Sequence, residues 1–457
     1  MNVRVPGIGR LREAARVRQR EQGLRRARPG DVAGAWARAI TPVPVPGLEV
    51  RPGARRLLVL SKTGGTEDAI ATLAGRGDGR GDIGIELVGL DRAEIKHAFR
   101  ALIGEGHERL RDVDYRPDDE DLAEAKARYR EFLGPVMRRL RDEHAIIGVL
   151  GANVTYYAER ELAGACEDVD LPFLVLHKES IRSPRQREVF TRAYRERTGP
   201  FTGRAVAVYN TSERDSQVAG GVVTDAAVVG CPRIDALHAW REVRAAQGVA
   251  DRAAATGPVV LFAIDPGAGT WTPYDGEEDQ GAPRWDELAA GTESALLDLA
   301  RSHPNHPFVI KAKVGHGERL LARLAEGRSD GLPANVSIVT SGTATELLQR
   351  AAVIIAFNTT VIAEGLAAGV PVVVPAFAEA AVPDAEGWRY PVGDAVVRAE
   401  RPEDLAPAVL AAQATHRRPR ATLDGTVAEV LDTLVGNPDG RAGDRAWDWL
   451  RHELSLG

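Results

Sequence analysis

The stretch VIIAFNTTVIAEGLAAGVPVVVP (residues 353–375) decides how this chain is read. Its first five residues are continuously apolar, which fits a strand covered on both faces. Asn358, Thr359 and Thr360 then make a polar turn that opens a short helix. The free backbone N–H groups and positive dipole end of that helix suit a phosphate or diphosphate. Gly369 closes the helix at the C′ position, and Pro371 begins a second apolar strand, where its missing N–H costs little. Strand, polar turn, helix and strand make one unit with an anion site at the turn.

Glu364 extends the argument. If Thr360 caps the helix, a capping-box acid belongs at position 363, which is alanine; Glu364 falls four residues after Thr360, on the same helical face. It points toward whatever the turn binds, and a carboxylate there can accept two hydroxyls such as those of a ribose. A solvated first-turn glutamate favoured by the dipole is the plainer reading of the same spacing. Thr343 and Glu346, by contrast, have capping-box spacing and read as an ordinary helix start.

Composition narrows the class. At 457 residues and 44% hydrophobic, the chain has ample core for about two or three domains. A formal net charge of −6 argues against a general nucleic-acid binder, which needs a basic stripe. Cys166 and Cys231 form no disulfide framework and lack metal-motif spacing, which suits a reducing compartment. No apolar run approaches the roughly 18 to 20 residues of a membrane helix, and the start lacks a hydrophobic signal core. The expectation is a cytoplasmic protein. Cations are overwhelmingly arginine; the six lysines are Lys62, Lys96, Lys126, Lys178, Lys311 and Lys313, four of them at predicted strand ends or adjacent loops.

The chain divides into four stretches. Residues 1–50 are a basic extension and a Pro-rich connector; the extension reads either as a helix lying on an anionic membrane or as a solvated tail. Residues 51–240 and 241–435 each alternate strands and helices with short connections, so each predicts a parallel sheet wound on both faces. Residues 436–457 predict a terminal helix that crosses back to the first domain. In the first domain, RRLLVL (residues 55–60) is followed by a turn holding Gly64 and Gly65, placed at the carboxyl edge of the sheet. The strand PFLVLHKES (residues 172–180) likewise ends in His177, Lys178 and Glu179.

Asn358, Thr359, Thr360, Glu364, Gly369 and Pro371 together resemble the N-S-T-x-x-x-E-x-x-x-x-G-x-P signature of capsule-polysaccharide and related surface-carbohydrate glycosyltransferases of the GT-B fold, a superfamily that includes the CDP-glycerol glycerophosphotransferases. Val229-Gly230-Cys231-Pro232-Arg233-Ile234-Asp235 is similar to the V-x-G-x-P-R-x-D segment joining their two domains. The resemblance implies two Rossmann-like domains facing across a cleft. It implies transfer of a sugar or polyol phosphate from a nucleotide-activated donor to a glycan or lipid-linked acceptor, with peripheral membrane contact through the basic N-terminus as a further expectation. Asn358, Thr359 and Thr360 would hold donor phosphate and Glu364 the ribose. Lys311 and Lys313 occupy the place of the K-x-H-P element; the histidine and proline are absent, and Lys313 stands where the histidine would be, so only charge neutralisation carries over.

An inverting transferase also needs a base for the acceptor hydroxyl. Asp68, Glu179 and His177 are the candidates at the carboxyl edge of the first sheet, and Gly64 and Gly65 would admit acceptor or donor close to the backbone. Glu67 stands at the same edge; it reads equally as a helix-start acid, and His177 equally as packed in the core. No metal is required. The histidines 303, 306 and 316 do not make a zinc site, and the acidic run of Asp275, Glu277, Glu278 and Asp279 reads as a solvated loop or as a place for a divalent cation. Two rival functions remain open. A nucleotide-sugar 2-epimerase of the same fold would usually carry paired glutamates, whereas Gly365 follows Glu364. A non-catalytic glycan-binding or scaffold protein is the other, supported by the missing K-x-H-P.

Overall fold

A computed structural model describes residues 8–74, 84–247, 256–274, 282–313, 315–325, 331–415 and 422–456, and shows two α/β domains, each built on its own sheet. The first sheet contains β1 (Thr41–Pro42), β2 (Arg55–Ser61), β3 (Ile85–Asp91), β4 (Ile146–Gly151), β5 (Phe173–His177), β6 (Ala205–Val208) and β7 (Ala227–Val228). Their spatial order is β1-β3-β2-β4-β5-β6-β7, parallel throughout except for the short β1 against β3. The second sheet contains β8 (Val259–Phe262), β9 (Phe308–Lys311), β10 (Val336–Val339), β11 (Val353–Ile355), β12 (Val372–Pro375) and β13 (Val397–Ala399). It is fully parallel in the order β10-β9-β8-β11-β12-β13. These are the two doubly wound sheets that the alternating pattern predicts, in the GT-B type of architecture that the resemblance implies.

Parallel strands must be covered on both faces, and period-2 alternation divides each strand between two cores. Along β2, Leu58 and Leu60 enter one core while Leu57 and Val59 enter the other. Along β11, Ile354 faces one core of the second domain and Val353 and Ile355 the other. No helix among the described residues is long and apolar enough to cross a membrane.

Two segments differ from the sequence reading. Helix Pro29–Ala39 is part of the first domain, with Val32, Ala33 and Trp36 buried in its core, and the Pro-rich run supplies β1 and the buried Val45. The first domain therefore begins well before position 51. One indole hidden among small residues leaves little periodic signal, yet burying it is worth at most about 4 to 6 kcal/mol at about 25 cal/mol per Å2. Helix Ile8–Leu24 is also docked: Arg20 pairs with Glu94, and His97 lies 3.7 Å from Glu21. At the other end, helix Ala442–Glu453 packs Ala446 and Leu450 beside Leu57, Val59 and Leu73, so the chain returns from the second domain to the first.

The strand orders locate the site. In an open parallel sheet, ligands bind beyond the carboxyl ends of the two adjacent strands whose crossovers run in opposite directions. In the first sheet those strands are β2 and β4, and in the second they are β8 and β11. The turn after β2 holds Gly64 and Gly65, and the turn after β11 holds Asn358, Thr359 and Thr360.

Candidate functional site between the two sheets

On the second domain, the turn after β11 is fixed by Asn358. Its backbone is left-handed, with φ of 44°, a conformation asparagine tolerates better than most residues. Its buried side chain donates to the Trp388 carbonyl at 2.8 Å and the Ala268 carbonyl at 3.3 Å, and accepts from the Tyr390 N–H at 3.0 Å. Asn358 thus clamps its own turn to two other loops, and any ligand contact from this position falls to the backbone. Thr359 and Thr360 are half-buried at the start of helix Val361–Ala368, and Gly369 ends that helix with a left-handed φ of 71°. The Thr360 hydroxyl donates to Glu364 Oε1 at 3.2 Å. Glu364 is half-buried; burial pushes its carboxyl above the usual glutamate range, while the Arg233 guanidinium and the Thr360 hydroxyl pull the other way.

The first domain meets Glu364 with Arg233, Glu67 and Asp68, all near enough to act on its charge. Gly64 has φ of 82°, and a Cβ there would lie 3.4 Å from Lys178 Cδ and 3.9 Å from Arg233 Nη1. A Cβ at Gly65 would collide with Ala152, so the turns after β2 and β4 touch only because this residue has no side chain. Glu67 accepts from the Gly64 N–H and closes the turn, as a helix-start acid does.

Structure separates the three candidate bases. Asp68 is fully buried, with Arg233 Nη1 at 2.9 and 3.1 Å, the Tyr209 hydroxyl on Oδ2, and the Arg233 N–H at 3.3 Å. Its oxygens face inward and serve the junction between β2's helix and the Arg233 segment. His177 is also fully buried, its Nε2 3.3 Å from Glu213 Oε1. Glu213 in turn accepts from Arg182 at 2.9 Å, Tyr194 at 2.7 Å and Gln217 at 2.9 Å. Burial would raise the Glu213 carboxyl, but Arg182 and His177 outweigh it and hold the group far below the usual range. Glu179 alone keeps access to solvent, with 46% of its side chain exposed. Asn153 Nδ2 donates to it at 2.8 Å and the Tyr156 hydroxyl at 3.0 Å. Desolvation works against its charge, but Lys178, His177 and Arg182 together keep it below the usual glutamate range, hence ionised at neutral pH.

The lysines of the second domain take different places. Lys311 is buried with its ammonium on the Ala312 carbonyl at 2.8 Å, and burial lowers its pKa. Lys313 is exposed and pairs with Asp265 at 3.3 Å; His316 approaches the same carboxylate at 3.2 Å. The loop after β8 then crosses to the first domain, where Gln186 donates to the Trp271 carbonyl at 3.2 Å and the Tyr274 hydroxyl donates to Glu196 at 2.8 Å. Asp275, Glu277, Glu278 and Asp279 lie outside the described residues, and no group of three or more metal-ligating side chains is placed for a cation among the described ones.

Sequence reasoning passed over Arg233, Lys178, Asn153 and Tyr156. Arg233 stood in the quoted segment at residues 229–235, but nothing in the chain order says that it folds onto Asp68, 165 residues away. Asn153 and Tyr156 follow β4, whose place beside β2 is a property of the sheet rather than of the local pattern.

No protein-family model matches the chain, and no curated protein does. Among solved structures it is similar to a UDP-forming α,α-trehalose-phosphate synthase from Burkholderia vietnamiensis (14% identity, 88% of this chain and 100% of that chain, TM-score 0.46). It is similar to a UDP-GlcNAc 2-epimerase from Neisseria meningitidis bound to UDP-GlcNAc (12%, 88% and 100%, TM-score 0.46) and to Anabaena HepE in complex with UDP and glucose (13%, 88% and 99%, TM-score 0.43). Those activities and ligands are theirs.

Proposed function

We propose that this chain is a glycosyltransferase of the GT-B type that moves a sugar or polyol phosphate from a nucleotide-activated donor to a glycan or lipid-linked acceptor. The observation that carries the reading is the position of Glu364. It is a half-buried carboxyl beside the Thr360 hydroxyl, at the strand reversal of the second sheet, facing Arg233 and the Gly64 turn of the first. A glutamate serving only as a solvated first-turn acid has no reason to sit where burial opposes its charge. Accepting two ribose hydroxyls is a use for it.

In this reading, the helix start at Thr359 and Thr360 faces the donor phosphates through its backbone, with Arg233 and Lys178 supplying positive charge across the junction. Glu179, fixed by Asn153 and Tyr156, accepts the proton of the acceptor hydroxyl. For the epimerase rival, the usual second glutamate is absent: Gly365 follows Glu364, and a Cβ there would lie 2.5 Å from Ile354 Cδ1, so a side chain at this position would require Ile354 to shift. Turnover of a nucleotide sugar to its 2-epimer in the absence of any acceptor would support that rival instead.

The test is nucleotide binding. Screening nucleotides and nucleotide sugars by thermal shift identifies the base, since a ligand at about 100 times its Kd adds about 2.7 kcal/mol of stability. Glu364→Ala is expected to weaken the best nucleotide by about tenfold or more without lowering the melting midpoint, since it removes a charged acceptor. Unchanged affinity would remove the ribose assignment, and no stabilisation by any nucleotide would favour the scaffold reading.

A further inference from the structure

Five of the six lysines stand at the facing carboxyl edges, Lys62, Lys96 and Lys178 on the first domain and Lys311 and Lys313 on the second; the other 53 of the 59 Lys and Arg are arginines. Three of the five have acceptors: Lys178 lies 3.4 Å from Glu179, and Lys311 and Lys313 hold the Ala312 carbonyl and Asp265. Lys62 and Lys96 carry neither a hydrogen bond nor an ion pair from their ammonium groups to any described residue.

Lys96 lies on helix Arg92–Ile103, which starts directly at the end of β3, and it is half-buried with its ammonium 5.9 Å from the Tyr157 ring. Burial and the charges of Arg92, Lys62 and Arg100 depress its pKa, while Asp112 opposes them. The nearby carboxylates are already engaged. Asp112 pairs with Arg92 at 3.4 Å and accepts the Tyr157 N–H at 3.3 Å; Glu159 is buried against Arg92; Glu94 pairs with Arg20. A half-buried ammonium held among cations without an acceptor is unfavourable unless an anion completes it.

We infer that Lys62 and Lys96, beside Tyr157 and the Asp112-held Arg92, form a second anion subsite that receives a phosphoryl group carried by the acceptor. The inference rests on the transferase reading above. Its place in the fold ties it to the acceptor side: the Arg92 guanidinium stacks 3.4 Å over the Tyr156 ring, and the Tyr156 hydroxyl reaches Glu179, so a continuous chain of contacts joins the subsite to Glu179. Lysine suits this task as a compact point charge with rotatable donors, facing a tetrahedral dianion. A phosphorylated acceptor anchored there would present a hydroxyl toward Glu179.

The experiment titrates three probes, inorganic phosphate, a hexose 6-phosphate and an isoprenyl phosphate in detergent micelles, against the full chain saturated with its best nucleoside diphosphate. The unphosphorylated hexose is the control. At least one phosphorylated probe is expected to bind, with affinity falling about tenfold in Lys96→Gln and in Lys62→Gln, while nucleotide affinity stays the same. Preference for the hexose 6-phosphate identifies a soluble acceptor, and preference for the micellar probe a lipid-linked one. Lys62 is exposed, so its variant keeps the test valid should Lys96→Gln fail to fold. Equal affinities in wild type and variants, equal binding of the unphosphorylated hexose, or no binding of any phosphorylated probe while nucleotide still binds would overturn the subsite and leave the donor reading intact.

Discussion

Asp68 and Glu179 stand at the same edge of the same sheet, yet their surroundings give them opposite uses. Asp68 is sealed against Arg233 and Tyr209, so Asp68→Asn would leave a largely buried guanidinium without its counter-charge. A loss of about 3 to 5 kcal/mol is expected in denaturant unfolding, as for other broken buried pairs. Glu179→Gln preserves shape and one acceptor oxygen, on which Asn153 can still donate while the Tyr156 hydroxyl turns to accept from the amide; turnover should drop by about 10²- to 10⁴-fold with nucleotide affinity unchanged. Glu364 adds a pH signature. Because its folded pKa is raised, acidification from neutrality protonates it before an ordinary glutamate, and the carboxylate proposed to accept the ribose hydroxyls disappears. Nucleotide affinity should therefore be level above that raised pKa and fall as pH drops through it. In Glu364→Gln that component should be absent, leaving only the titration of the nucleotide itself, which calorimetry across pH 5 to about 8 can separate.

At the scale of elements, the segment 229–235 shows what a motif can and cannot disclose. Gly230 has φ of 87°, and a Cβ there would sit 2.5 Å from the Gly436 carbonyl; Arg233 grips Asp68; Asp235 accepts from the N–H groups of Ala442 at 3.1 Å and Gly443 at 2.7 Å and from Asn437 at 2.7 Å. One short stretch thus ties the first sheet, the inter-domain passage and the start of the C-terminal helix. Asp235→Ala removes the carboxylate that caps helix Ala442–Glu453, and about 1 to 2 kcal/mol is expected to be lost from that helix. Hydrogen exchange should show faster opening of residues 442–453 than of the strands; equal protection in the variant would contradict the capping role. The strands and most helices were legible because apolar runs, Gly369 and the capping residues act locally, as in residues 353–375, which fold as strand, turn, helix and strand. Unreadable were β3, where Gly89 interrupts the pattern, and helix Pro29–Ala39, anchored by Trp36. Partners such as Asp68 with Arg233 depend on which strands lie side by side, which periodicity does not encode.

For the whole molecule, the consequential feature is that the two domains exchange structure at more than one point. The loop after β8 reaches Gln186 and Glu196 of the first domain, and the C-terminal helix leaves the second domain to bury Ala446 and Leu450 beside Leu57 and Val59. Arg445 strengthens the return, donating to the Val229 carbonyl at 3.0 Å and the Gly436 carbonyl at 2.9 Å while its Nη1 pairs with Asp439 at 2.8 Å. A nucleotide bound at Glu364, as proposed, would touch mainly the second domain, yet its stabilisation should be shared, because the C-terminal helix continues the second domain's chain and loses its cover when the first domain unfolds. Scanning calorimetry of the full chain should therefore give one transition that moves upward with nucleotide concentration as mass action requires. Ending the chain after residue 440 removes the returning helix and uncovers Leu57, Val59 and Leu73. Two transitions are then expected, a lower one for the first domain that hardly responds to nucleotide and a higher one that still does. A single nucleotide-responsive transition in the shortened chain would show that the helix is not what couples the two halves, and would place that coupling in the Arg233–Asp68 junction and the crossing loop instead.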